Sequence, residues 1–122
     1  MDHREFIESV QKRANVSEDE AERLTRATMT VLADRITGGE AEDLAAQLPR
    51  GVRDYLVSRR EEAEKFDLEE FIRRMSERAG VDVETATRGV RAVLSTVRRA
   101  VTSGEFEDVL AQLPKEFAEF ID

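Results

Sequence analysis

Apolar residues return along this chain at intervals of three and four, and no stretch alternates apolar with polar long enough to make a strand. Phe6, Ile7, Val10 and Ala14 form one such stripe, and Phe71, Ile72, Met75 and Ala79 form another. A longer stripe follows each: Leu24, Thr28, Val31, Leu32 and Ile36, then Val90, Val93, Leu94, Val97 and Val101. Third stripes run through Ala41, Leu44, Ala45 and Leu48, and through Phe106, Val109, Leu110 and Leu113. Short final ones hold Val52, Tyr55 and Leu56, and Phe117, Phe120 and Ile121. The pattern predicts four helices followed by four more, the second longest in each set and the last two short.

Polar punctuation agrees with these boundaries. Asp2 with Glu5 and Asp67 with Glu70 have capping-box spacing, and Asn15 and Gly80 tolerate the left-handed turn that ends a helix. Ser17 with Glu20, and Asp82, open the long helices. Gly38-Gly39 and Gly104 break the chain, while Thr37 with Glu40 and Thr102 with Glu105 restart it at capping-box spacing. Pro49 and Pro114 stop the third helices and suit the first turn of a fourth.

The likeness of the two sets is a true internal repeat. Shifted by 65 residues without a gap, Glu5-Phe6-Ile7 falls on Glu70-Phe71-Ile72, and Arg23 and Arg26 fall on Arg88 and Arg91. Gly39-Glu40, Glu42-Asp43 and Ala46-Gln47-Leu48-Pro49 fall on Gly104-Glu105, Glu107-Asp108 and Ala111-Gln112-Leu113-Pro114. The expected fold is therefore all-α: two tandem four-helix repeats, related by a pseudo-twofold axis and packed into one helical bundle domain. Residues 1–57 form the first repeat and 67–122 the second. The charged stretch 58–66, free of Gly and Pro, reads as a solvated helical extension or a linker.

Composition narrows the function classes. At 122 residues the chain has the size of one domain. A net charge of −8 argues against a general nucleic-acid binder and against attachment to an anionic membrane. With no Cys there is no disulfide, thiolate nucleophile or Cys-ligated zinc. No basic, apolar leader opens the chain and no apolar run spans a bilayer, so the expected setting is the cytoplasm.

The paired segments 37–49 and 102–114, with Thr-x-Gly-Glu-x-Glu-Asp and a Gln-Leu-Pro ending, together with the Glu-Phe-Ile openings, resemble a bacterial family known as domain of unknown function number 2267. The resemblance covers essentially the whole chain. It implies a small helical protein without an established activity, and it carries no catalytic residues to transfer. Its one departure is Ala45, which becomes the larger Leu110 in the second copy.

Glu40, Glu42 and Asp43, repeated as Glu105, Glu107 and Asp108, put three carboxylates in a helix's first turn, where capping and the helix dipole account for them. A Ca²⁺ or Mg²⁺ site would need the two copies to converge, and no metal or cofactor is expected. Arg23, Arg26, Arg88 and Arg91 can form an anion site, or internal ion pairs with the acidic start of the third helix or with nearby Glu residues. Gln47 and Gln112 can bond carbonyls freed by the following proline or read a partner's backbone, and the structural role is the expected one. His3, the sole imidazole, lies near the N-terminus and is replaced by Leu68 in the second copy. The basic pairs lack interleaved aromatics for stacking on bases.

The expected function is a non-enzymatic protein-interaction module, docking an unknown protein partner or a second copy of itself. Tyr55, Phe117 and Phe120 on the fourth helices are its expected contact residues. Two alternatives stand beside it. One is a carrier with a small apolar ligand between the repeats, and the other a carboxylate–metal enzyme.

Overall fold

The computed structural model describes residues 1–58 and 61–121, and every regular element among them is a helix. In chain order they are α1 (His3–Ala14), α2 (Glu18–Arg35), α3 (Gly38–Gln47), α4 (Arg50–Arg53), α5 (Leu68–Ala79), α6 (Val83–Ala100), α7 (Ser103–Ala111) and α8 (Glu116–Ile121). The helix starts follow the predicted caps. Asp2, Ser17, Thr37, Asp67, Asp82 and Thr102 each accept a backbone N–H three residues on. Asn15 (φ 57°) and Gly80 (φ 67°) supply the left-handed turns after α1 and α5.

The two long helices, α2 and α6, pack on each other at the centre. Each also packs on α1 and on α5, so the first helix of either half touches both long helices. α3 and α7 meet one another, α4 lies on α1 and α2, and α8 lies on α6. Leu24, Met29, Leu32, Val90, Val93 and Val97 are buried in this core together with Phe6 and Phe71. Gly89 sits mid-helix in α6, where a Cβ would come within 2.8 Å of Leu24 Cδ2 and 2.9 Å of Met75 Cε. The missing side chain makes room for those two.

The linker is not helical at its described positions, and the helix-forming composition of 58–65 is overridden; Arg59 and Arg60 lie outside the described residues. Its backbone groups bond the corner between α2 and α3 instead. Gly38 N–H donates to the Glu61 carbonyl at 3.1 Å, and Glu64 N–H donates to the Asp34 carbonyl at 2.9 Å. Arg35, buried, donates from Nε to the Phe66 carbonyl at 2.8 Å. Arg74 lies 3.9 Å over the Phe66 ring and pairs with Glu64 at 3.0 Å. These bonds strap the connection down where a free helix would have projected into water.

Candidate functional site

Where the halves meet, the two glutamines of the Gln-Leu-Pro segments reach across. Thr37 N–H donates to Gln112 Oε1 and Thr102 N–H donates to Gln47 Oε1, each at 2.8 Å. Gln112 also donates from Nε2 to Thr37 Oγ1 at 3.3 Å. The expected partners, carbonyls beside the prolines, are thus replaced by the N-cap amides of the opposite third helix. In an ordinary capping box that amide goes to the Glu at the third helical position, as it does between Asp2 and Glu5 in α1. Here Glu40 and Glu105 keep only the other half of the box, donating N–H to Thr37 and Thr102 at 3.2 Å. Their carboxyl groups are released from capping.

Those released groups converge. One carboxylate oxygen from each of Glu40, Asp43 and Glu105 lies within 4.8 Å of the others. Glu105 is only 8% exposed, and Oε2 of both Glu40 and Glu105 is buried with no hydrogen-bond partner. The Glu40 carboxyl is pushed up from 4.5 to about 8. Burial is the largest cause, followed by its hydrogen bond to Glu105 and the charges of Glu105, Asp108 and Asp43. Capping and dipole, sufficient for Glu42 and Glu107 on the sequence, do not describe Glu40 and Glu105.

The four arginines all find partners inside the chain: Arg23 lies 3.8 Å from Glu20 and Arg88 3.8 Å from Glu84, nearby glutamates rather than the acidic start of the third helix. Arg23 donates to the Ala79 carbonyl at 3.5 Å and Arg88 to the Ala14 carbonyl at 3.3 Å, so each sits at the C-terminal end of the other half's first helix. A cation there opposes the negative end of the helix dipole. Arg26 lies 5.7 Å over the Tyr55 ring. Arg91 donates to the Phe120 carbonyl at 2.9 Å and lies 4.5 Å over its ring. Arg88, Arg91 and Arg13 also line one open cleft of about 320 Å³.

Of the three expected contact residues, Phe117 is not at the surface. Phe117 is fully buried, edge-on to Phe71 with centroids 5.4 Å apart, because it occupies the inward position that Val52 holds in the first half. Tyr55 is half-buried and donates its hydroxyl to Glu22 Oε1 at 2.7 Å, and burial and Glu22 raise its pKa. Phe120 is half-buried beneath Arg91. His3 Nε2 meets the same Glu22 oxygen at 2.9 Å, its ring lying against Gly51, where any Cβ would come within 2.7 Å. His3, Glu22 and Tyr55 thus tie α1, α2 and the segment after α4 together.

That tie makes the halves unlike in one groove. Between α1 and α2 the cleft is about 190 Å³ and is edged by His3 and Glu22. Between α5 and α6, Leu68 and Thr87 stand at those two positions, and the cleft opens to about 430 Å³. Its apolar part is Ile72, half-buried, and Val83, 62% exposed, with Asp67, Glu69, Glu70 and Arg73 at the rim, the last two paired at 2.7 Å.

A family described as "Uncharacterized conserved protein (DUF2267)" matches residues 3–120. The chain belongs to it. No curated protein matches the chain. The match runs from the first residue of α1 to the penultimate residue of α8, so the DUF2267 unit takes in both glutamine clamps and all three converging carboxylates. Within this DUF2267 chain the clamp was half legible: Gln at the same position of both copies marked it, while partners 75 and 55 residues away did not. No helix among the described residues is long and apolar enough to cross a membrane.

Proposed function

We propose that the chain is a non-enzymatic protein-interaction module whose docking surface is the α5–α6 groove. Its framework on this reading is two repeats related by a pseudo-twofold axis and working as one bundle. The reciprocal bonds Gln112 to Thr37 with Gln47 to Thr102, and Arg23 to Ala79 with Arg88 to Ala14, support that framework. The observation that carries the reading is Val83, 62% exposed beside Ile72 in a cleft of about 430 Å³, where the first half, edged by His3 and Glu22, leaves about 190 Å³.

Charge selects the partner. Asp67, Glu69 and Glu70 rim the groove with one cation, Arg73, which is paired to Glu70; the rim stays net acidic on a chain of net charge −8, so a second copy is repelled. A segment presenting an apolar anchor between Lys or Arg residues is complementary. The carrier reading is less favoured, since at the α2–α6 crossing Gly89 leaves no room for even a methyl group. A leucine–lysine amphipathic peptide titrated into ¹⁵N-labelled protein should perturb Ile72, Val83 and Thr87, and the effect should weaken with salt. A leucine–glutamate peptide of equal length should not. Perturbation elsewhere, or equal perturbation by both peptides, overturns the proposal, and Val83→Asp should abolish the basic peptide's effect.

A further inference from the structure

Glutamates at the third position of a helix ordinarily fold back onto the N-cap amide. In α3 and α7 that amide is taken by a glutamine from the opposite half, which leaves Glu40 and Glu105 aimed at one another. Two carboxyl groups brought together out of water are costly unless something positive joins them. Each keeps a buried oxygen with no hydrogen-bond partner, and the Glu105 side chain belongs to a residue only 8% exposed. Asp43, one turn along α3 from Glu40, brings a third oxygen within 4.8 Å of the other two and is itself exposed.

We propose that Glu40, Asp43 and Glu105 form a binding site for one hard divalent cation at the junction of α3 and α7. Two oxygens on opposite sides of a Ca²⁺ ion lie ~4.6–5.2 Å apart, and three oxygens within 4.8 Å of one another bring a single ion within reach of all three after small side-chain adjustment. All three ligands are carboxylates, which selects Ca²⁺, Mn²⁺ or Mg²⁺ over metals preferring nitrogen or sulfur. Asp43 opens the site to solvent, and water completes the coordination. The N-terminal dipole ends of α3 and α7 stabilise the ionised ligands. Because Glu40 and Asp43 come from one half and Glu105 from the other, the bound ion ties the halves together. The site lies apart from the α5–α6 groove and stands or falls independently of it.

The test is thermal unfolding of the full chain, stripped with EDTA, at constant ionic strength with CaCl₂, MnCl₂ or MgCl₂ added. At least one cation should raise Tm saturably, by roughly 10 °C once its concentration is ~100-fold above Kd. EDTA should reverse the rise, and Mn²⁺ resonance spectra should count one ion per chain. Glu105→Gln keeps the side chain's shape and should remove the rise. Asp43→Asn changes an exposed residue that should not affect folding, and it should weaken binding at least tenfold. No rise with any of the three cations overturns the proposal. So does an equal rise in wild type and Asp43→Asn, which would mark general screening of the chain's negative charge.

Discussion

Removing the Gln112 side chain should cost the protein little, and the reason lies in Glu40. The substitution Gln112→Ala deletes an acceptor 2.8 Å from Thr37 N–H and a weaker bond at 3.3 Å to Thr37 Oγ1. A part-buried amide left unsatisfied costs ~1–3 kcal/mol. Glu40, however, stands at the capping-box position and can turn back to accept that amide. The expected loss therefore falls to ~1 kcal/mol, the ordinary worth of a replaced hydrogen bond. Glu40→Ala alone, which dissolves a carboxyl pair that gains little, should be close to neutral. The double variant has neither acceptor, and its loss should reach ~2–3 kcal/mol, a coupling of about 1–2 kcal/mol between residues in a shared network. Urea unfolding of the four proteins, followed by circular dichroism at equal m-values, measures it. Additivity within ~0.5 kcal/mol would refute the claim that the two side chains compete for one amide. Gln47→Ala gives an internal comparison: Thr102 N–H is more exposed, so water replaces the glutamine and the cost should be smaller.

Three further outcomes are expected. In the presence of chelator, stability should fall between pH 4.5 and about 8, because over that range only the folded chain holds the Glu40 proton. The limiting slope is ~1.4 kcal/mol per pH unit, and solvent screening should leave a total of about 2–3 kcal/mol, absent in Glu40→Gln. Glu70, held down to about 2 by Arg73 and Arg74, and Asp82, lowered by Thr85, act in the opposite sense. Their contribution is present above the usual carboxylate range and lost on acidification, so the two effects separate in an acid-to-neutral series of urea melts. Phe117→Ala should cost ~3–5 kcal/mol by the same assay, as for a fully enclosed ring, and Phe120→Ala clearly less. Equal losses would contradict the placement of the two rings.

The helices were legible because each was written twice: a cap such as Asp2 or Ser17 gained weight from Asp67 or Asp82 at the same offset. Phe117 was legible too, since the offset that paired it with Val52 already put it on an inward face. Its size, read as a docking anchor, obscured that. The linker was not, because nothing local in 58–65 announces that the Glu64 amide will bond the end of α2 and the Glu61 carbonyl the start of α3. The carboxyl convergence lay beyond local reading for a related reason. Capping-box spacing is a statement about one helix, and here a residue from another helix takes the amide first.

Leu24 and Gly89 occupy positions exactly one offset apart, and the leucine's methyl groups fill the space the glycine leaves. Knob and socket have thus been divided between the halves. Two first halves meeting in the same way would bring two leucines to one socket, and two second halves would leave a hole beside paired glycines. The native arrangement alone matches one of each. On the two-repeat reading, this pairing gives each half a steric preference for the other half over a second copy of itself.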